Sequence, residues 1–101
     1  MKKIYAIVKH PGEKVGHIME IENELKPLQE LVGGYIETVT PPDAGFTIIC
    51  NEDGMFLELP YNCTVKGVDF VGTIAVVGVV GDNFGDCPLD LKQWENDWLK
   101  G

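Results

Sequence analysis

The first strand is predicted from an alternation of apolar residues with polar or aromatic ones near the start of the chain. Ile4, Ala6 and Val8 occupy every second position, which is the period of a strand with one buried face. Pro11-Gly12 ends this strand, and a second strand is predicted at 15–21. The two strands are expected to form a hairpin.

A short amphipathic helix is predicted next. Asn23 is placed to cap a helix that begins at Glu24. Its apolar stripe comprises Leu25, Leu28, Leu31 and Val32. The double glycine Gly33-Gly34 is expected to end the helix, because glycine adopts the left-handed conformation of a helix C-terminus. A strand at 35–39 follows, so that LQELVGGYIE is a helix-to-strand joint.

The remaining elements are predicted from short apolar runs separated by turn residues. Strands are expected at 46–50, 55–59 and 70–80, an irregular loop that opens at 60–62 and precedes the strand at 70–80, a loop at 81–86 and a terminal helix at 88–100. The density of β-branched residues in 70–80 places that strand at the centre of the sheet, buried on both faces. The chain is thus predicted to be one small α+β domain, 1–101, with a largely antiparallel curved sheet of five to six strands and two helices.

Composition restricts the classes of partner. The formal net charge is −8, and all eight basic residues are lysines. Because arginine is the favoured fork for phosphates and base edges, direct nucleic-acid binding is not expected. The 11-residue apolar run at 70–80 is shorter than the roughly 20 residues of a membrane helix. With no signal-peptide pattern and three widely spaced cysteines, we expect a cytoplasmic protein with reduced thiols.

Five residues are the candidates for binding a small ligand. They are two loop asparagines, two tyrosines and one lysine: Tyr35, Asn51, Tyr61, Asn62 and Lys66. Amides and phenol rings at one end of a sheet offer hydrogen bonds and stacking faces. The alternative is that the asparagines serve only the turns in which they occur.

Metal and catalytic sites are not predicted. His10, His17 and Cys63 lack the spacing of a metal site or of a Cys-His pair, and no cofactor is expected. The carboxylates Asp82, Asp86 and Asp90 do not have the spacing of a calcium loop. Asp86 or Asp90 is instead placed to stabilise the N-terminus of the last helix.

Trp94 and Trp98 are spaced as neighbours on one helix face. This spacing is typical of a stripe that packs the last helix on the sheet. Paired tryptophans near a terminus are also typical of interaction hot spots, so an interface, including one between copies of the chain, is the alternative.

Four segments in order resemble a family known as domain of unknown function 3846. They are the helix-glycine-glycine-strand joint, Asn51-Glu52-Asp53-Gly54, Leu59-Pro60-Tyr61-Asn62 and Phe70-Val71-Gly72-Thr73. The resemblance runs from about residue 4 to residue 91, and the segment 93–101 is expected to be private to this chain. The family is encoded largely by phages, plasmids and other mobile elements of Gram-positive bacteria. The resemblance therefore implies an accessory protein of such an element, and it implies no activity.

The predicted function is binding without catalysis. One mechanism is sequestration of a small, nucleotide-like signal by the tyrosines and the asparagine loops, with Lys9 or Lys66 nearby. The other is occlusion of a host protein, plausibly in a defence system, by the acidic surface and the terminal helix. The alternative is a structural or regulatory homo-oligomer without a small-molecule ligand.

Overall fold

Two antiparallel sheets form the fold in a computed structural model that describes residues 2–100. The strands are β1 (Lys3–Lys9), β2 (His17–Glu22), β3 (Ile36–Val39), β4 (Phe46–Asn51), β5 (Tyr61–Val65), β6 (Val68–Val71), β7 (Ile74–Val80), β8 (Asn83–Gly85) and β9 (Leu99–Lys100). The main sheet has the order β2-β1-β7-β4-β3, with β8 also paired to β7, and the small sheet has the order β6-β5-β9. Helix α1 spans Leu25–Val32, and helix α2 spans Leu91–Gln93. The α+β class with a largely antiparallel sheet is confirmed.

The main sheet lies between two layers. On one face, Ala6, Ile49 and Ala75 form a core with Leu28 and Val32 of α1. On the other face, the strands pack against the small sheet and the C-terminal segment, in a core that includes Phe46, Val65 and Trp94. Strand β1 is therefore buried on both faces from Ala6 to Lys9, and the expectation of one buried face is wrong there.

The apolar run at 70–80 contains two strands rather than one. Gly72 has a positive φ of 71°, a conformation that glycine adopts readily, so the chain turns there and passes from β6 in the small sheet to β7 in the main sheet. The central position of β7 is confirmed, since it pairs with β1, β4 and β8. Burial on both faces is confirmed for Ile74–Val77.

The predicted C-terminus of the first helix is confirmed, but its predicted N-terminal cap is not. Gly33 ends α1 in the left-handed conformation. The Asn23 side chain instead donates to the carbonyl of Phe84, and Glu24 is the first flanking residue. Leu25 is exposed, so it does not belong to the buried stripe. Within residues 2–100, no helix is long and apolar enough to cross a membrane.

Four segments depart from the sequence prediction. Residues 52–58 form successive turns where a strand was expected at 55–59, and Tyr61–Val65 is a strand where a loop was expected. Residues 83–85 also form a short strand. The predicted terminal helix is reduced to α2, a π-helical turn at Trp94–Trp98, and β9. Asp90 caps α2 with a reciprocal pair of bonds to Gln93, which confirms the predicted role of that carboxylate.

Candidate functional site

Asn51 is a buried residue that holds two backbone segments together. Its Nδ2 donates to the carbonyl of Val32 at 3.1 Å, and its Oδ1 accepts from the N–H of Asp53 at 2.8 Å. Gly34 packs against this amide so closely that a Cβ would lie 2.9 Å from Nδ2. The amide thus joins the end of α1 to the turn after β4, and its polar groups face the protein.

Asn62 is likewise occupied within the fold. Its Oδ1 accepts from Lys9 Nζ at 2.8 Å, while its Nδ2 donates to the carbonyls of Lys9 and Gly72 at 2.8 Å and 2.7 Å. Lys9 is itself almost fully buried, and its Nζ also lies 3.3 Å from the carbonyl of Asn62. The asparagine is therefore the partner of a buried ammonium group. The hydrogen bonds of both asparagines therefore agree with the alternative to ligand binding, which is a structural role.

The two tyrosines of the predicted site lie in different segments and have different hydrogen-bond partners. Tyr61 is half-exposed on β5, and its hydroxyl is 2.6 Å from Thr64 Oγ1, which donates to Asp69 Oδ1. Tyr35 is exposed beyond the end of α1, and its carbonyl accepts from the N–H of Glu52. Neither ring is enclosed by other side chains.

Lys66 and Trp98 are brought together at a shallow groove. The Lys66 ammonium lies 4.9 Å from the centre of the Trp98 ring, a cation–π distance. The groove has a volume of about 460 Å³ and is also lined by Thr64, Asn96 and Lys100. Two of the eight lysines thus line the groove, and one of them, Lys66, lies over the aromatic ring.

Trp94 lies in the core. Its side chain is 0% exposed, and its Nε1 donates to the carbonyl of Val15 at 2.9 Å. Trp98 is half-buried and packs edge-on against Phe46. The prediction of an interface residue thus fails for Trp94, because the chain's own core already encloses it, while Trp98 keeps an accessible face.

Among the described residues, the cysteine thiols are shielded by burial, and each histidine ring contacts a neighbouring oxygen. Burial raises the pKa of the Cys50 and Cys63 thiols to about 11 and raises that of Cys87. His10 and His17 have ring centres 5.9 Å apart. Each Nδ1 contacts an oxygen, of Thr73 and Glu13 respectively. Among residues 2–100, no three His, Cys, Asp or Glu side chains are grouped as metal ligands.

We expect the free energy of unfolding to fall as the pH rises from about 9 to about 11. The Cys63 thiol keeps its proton in the folded state up to about pH 11, whereas an unfolded thiol loses it near pH 9. The unfolded state therefore binds fewer protons in this window, and deprotonation favours unfolding. Urea titrations at several pH values should give a shallower fall for Cys63→Ala. Equal slopes in the two proteins would show that Cys63 ionises as readily folded as unfolded.

The most exposed apolar feature is a turn that the sequence did not single out. Met55, Phe56 and Leu57 are 72%, 87% and 51% exposed. We call these three residues the apolar turn. Contiguous large apolar side chains in solvent are uncommon in a small protein and mark interaction sites.

The apolar turn is held by its own backbone. Leu57 N–H donates to the carbonyl of Asp53 at 2.8 Å, and Leu59 N–H donates to that of Gly54 at 3.1 Å. Gly54 is buried, and a Cβ at this position would lie 2.8 Å from the Val71 side chain. Glu58 has a positive φ of 56°. These constraints exclude the extended strand that was expected at 55–59.

Carboxylates surround the apolar turn. Glu52, Asp53 and Glu58 flank it in the chain and are exposed. Met55 also borders a cleft of about 150 Å³ between the two sheets, where Glu37 and Asp69 are among the lining residues. The arrangement can present an apolar anchor inside an acidic rim.

The fold and its surface define a small α+β protein with a preformed apolar projection and shallow, open grooves. The family model described as Domain of unknown function (DUF3846) matches residues 1–99. The chain belongs to this family. The match includes residues 93–99, which we had expected to be private to this chain. No curated protein and no solved structure matches the chain.

Proposed function

We propose that this protein acts without catalysis, by binding another protein through the apolar turn. The observation that carries the proposal is the exposure of Phe56, which is 87%, between two further exposed apolar side chains. Aromatic anchors surrounded by polar residues are typical of the centres of protein interfaces. Burial of a side chain of this size contributes about 1.5–3 kcal/mol.

The preformed backbone of the turn supports the same proposal. Because Leu57 and Leu59 are already hydrogen-bonded to the start of the turn, little chain entropy is lost when a partner covers it. The partner is expected to offer an apolar pocket with lysine or arginine at its edge, complementary to Glu52, Asp53 and Glu58. Such docking should become slower as the salt concentration rises.

The setting of this function is proposed from the resemblance. In a phage or mobile element, the partner would be a host protein, and inhibition of a component of a defence system would follow from occlusion of its surface. The cytoplasm is the proposed location. A homo-oligomer through Trp98 is the alternative, and the mass of the free protein in solution distinguishes it.

A second candidate is the capture of a small, nucleotide-like anion. It is favoured by the groove that Lys66 and Lys100 line, in which Lys66 lies over the Trp98 ring. Lysines can neutralise a phosphate, and an indole can stack on a base. The groove is open, and the lack of arginine reduces its capacity for bidentate contacts.

Replacement Phe56→Ala is expected to weaken partner binding roughly 30-fold, because truncation of a central anchor costs about 2 kcal/mol. The measurement is affinity capture from a Gram-positive host extract, followed by titration of the recovered protein. Leu25→Ala is the matched control, since Leu25 is an exposed leucine outside the turn.

Equal binding by Phe56→Ala and the wild type would overturn the role of the turn. Recovery of a small molecule that is lost with Lys66→Ala would support the groove instead. Phe56→Ala and Lys66→Ala should both remain folded, because the altered side chains are exposed.

A further inference from the structure

Strand β2 is an open edge of the main sheet. Its single neighbour in that sheet is β1. The N–H of Asn23 donates to the carbonyl of Lys2, just beyond the paired strands. Hydrogen-bonded and non-bonded pairs alternate in an antiparallel ladder. The backbone N–H and C=O groups of Ile21 and Met19 therefore also point to β1. Those of Glu22, Glu20 and Ile18 point outward, away from β1.

The backbone of Tyr5 supports this assignment. Tyr5 lies opposite Glu20 in the β1–β2 register. Its carbonyl accepts from the N–H of Cys87, and its N–H donates to Asp86 Oδ1, so both groups face away from β2. Tyr5 and Glu20 are therefore a non-bonded pair, and the outward N–H and C=O groups of β2 offer a template for a further strand.

An apolar groove runs beside this edge. Its volume is about 400 Å³, and its apolar lining residues are Met19, Ile21, Pro27, Leu28 and Leu31. It lies between β2 and α1, on the face of the main sheet that the helix covers. Side chains of an added strand that point to this face would enter the groove.

The opposite face of the edge carries two carboxylates, one of which, Glu22, lies across from Lys3 of β1. Glu20 and Glu22 project on the same side as Ile18, which is 52% exposed. Glu30 of α1 is a lining residue of the groove itself, and no basic residue is among its described lining residues. A second copy that paired antiparallel at Glu20 would place the two Glu20 carboxylates side by side, and like charges directly opposite are destabilising.

We infer that β2 binds an extended basic peptide segment as an additional antiparallel strand, with lysine or arginine alternating with apolar residues. The basic side chains lie beside Glu20 and Glu22, and the apolar side chains enter the groove next to Met19 and Leu31. Backbone bonds to Ile18, Glu20 and Glu22 supply the pairing. This site is separate from the apolar turn and does not depend on the proposed function.

The probe is a seven-residue peptide in which lysine and valine alternate, with both ends blocked. In the complex, amide hydrogen exchange should slow at Ile18, Glu20 and Glu22, whose N–H groups are free before binding. The amides of Met19 and Ile21 should change less, because they are already bonded to β1. A peptide with its lysines grouped before its valines is the control for charge alone.

Backbone methylation tests the pairing directly. Residues opposite one another in an antiparallel pair share a face, so the probe's lysines should be those whose N–H groups point to β2. Methylation of the lysine amides should abolish binding, whereas methylation of the valine amides should leave it largely unchanged. Equal binding of the two methylated peptides would overturn strand addition.

Variants of the protein test the charge complementarity. Glu20→Gln with Glu22→Gln should weaken the probe roughly tenfold, as expected for two cross-strand charge pairs. Glu37→Gln with Asp43→Asn removes two carboxylates at the other side of the main sheet and should leave affinity unchanged. Equal affinity for the grouped peptide, or a free protein that already dimerises through protected β2 amides, would overturn the proposal.

Discussion

Replacement Trp94→Ala is expected to lower the free energy of unfolding by about 4 kcal/mol. The indole is the largest fully buried side chain, and it packs with Phe46, Val65 and other residues of the core between the main sheet and the small sheet. Truncation leaves a cavity between the two layers, and the carbonyl of Val15 loses the Nε1 donor 2.9 Å away. Urea denaturation followed by circular dichroism measures the loss.

Trp98→Ala is the matched control for this prediction. Trp98 is half-buried and makes one edge-on contact with Phe46, so its truncation should cost about 1–2 kcal/mol. If the two variants lost equal free energy of unfolding, the result would contradict the conclusion that Trp94 lies in the core and Trp98 at its edge.

Replacement Asn62→Ala is expected to cost at least about 3 kcal/mol, because it removes the side-chain acceptor of a buried ammonium group. Lys9 Nζ would keep only the carbonyl of residue 62, at 3.3 Å. The carbonyls of Lys9 and Gly72 would lose the Nδ2 donor at the same time. Thermal and urea unfolding of the single variant test this expectation.

A double-mutant cycle isolates the Lys9–Asn62 pair. Lys9→Met alone should also destabilise the fold, since the Asn62 Oδ1 loses its donor. Because Lys9→Met removes the charge that Asn62→Ala would leave without its main partner, the double variant should lose less than the sum of the single losses, by more than about 1 kcal/mol. Strict additivity would show that the two side chains do not stabilise one another. Tyr61→Phe, next to Asn62 in the chain, serves as a control with an expected loss of less than about 1 kcal/mol.

The parts of the fold that could be predicted are those with a strong local cause. Gly33 ends α1 because the backbone there is left-handed, a conformation that glycine adopts without strain. Asp90 caps α2 through its own side chain. Strand β7 was recognisable as central from its β-branched density. The boundary between β6 and β7 was missed, because the Gly72 turn is fixed by packing against Leu59, a contact that no local pattern indicates.

The candidate site was missed for a similar reason. Residues 55–59 are a mostly apolar run that follows the Asp53-Gly54 step, a pattern that favours the second strand of a hairpin. Burial of Gly54 against Val71, and the left-handed backbone of Glu58, replace that strand with turns. Asn51 and Asn62 were identified by residue type, but their partners in α1 and β1 are set by the tertiary fold.

The central place of β7 has a consequence for the order in which the protein can assemble during translation. Strand β1 is made well before its partner β7, which pairs Ile74 with Lys9. Until β7 leaves the ribosome, the β1–β2 hairpin and β4 have no strand between them, and Val8 and Ile48 lack their partners in β7, Ala75 and Val76. Pairing over such a sequence separation slows folding, so the nascent chain carries an incomplete sheet until β7 has been made.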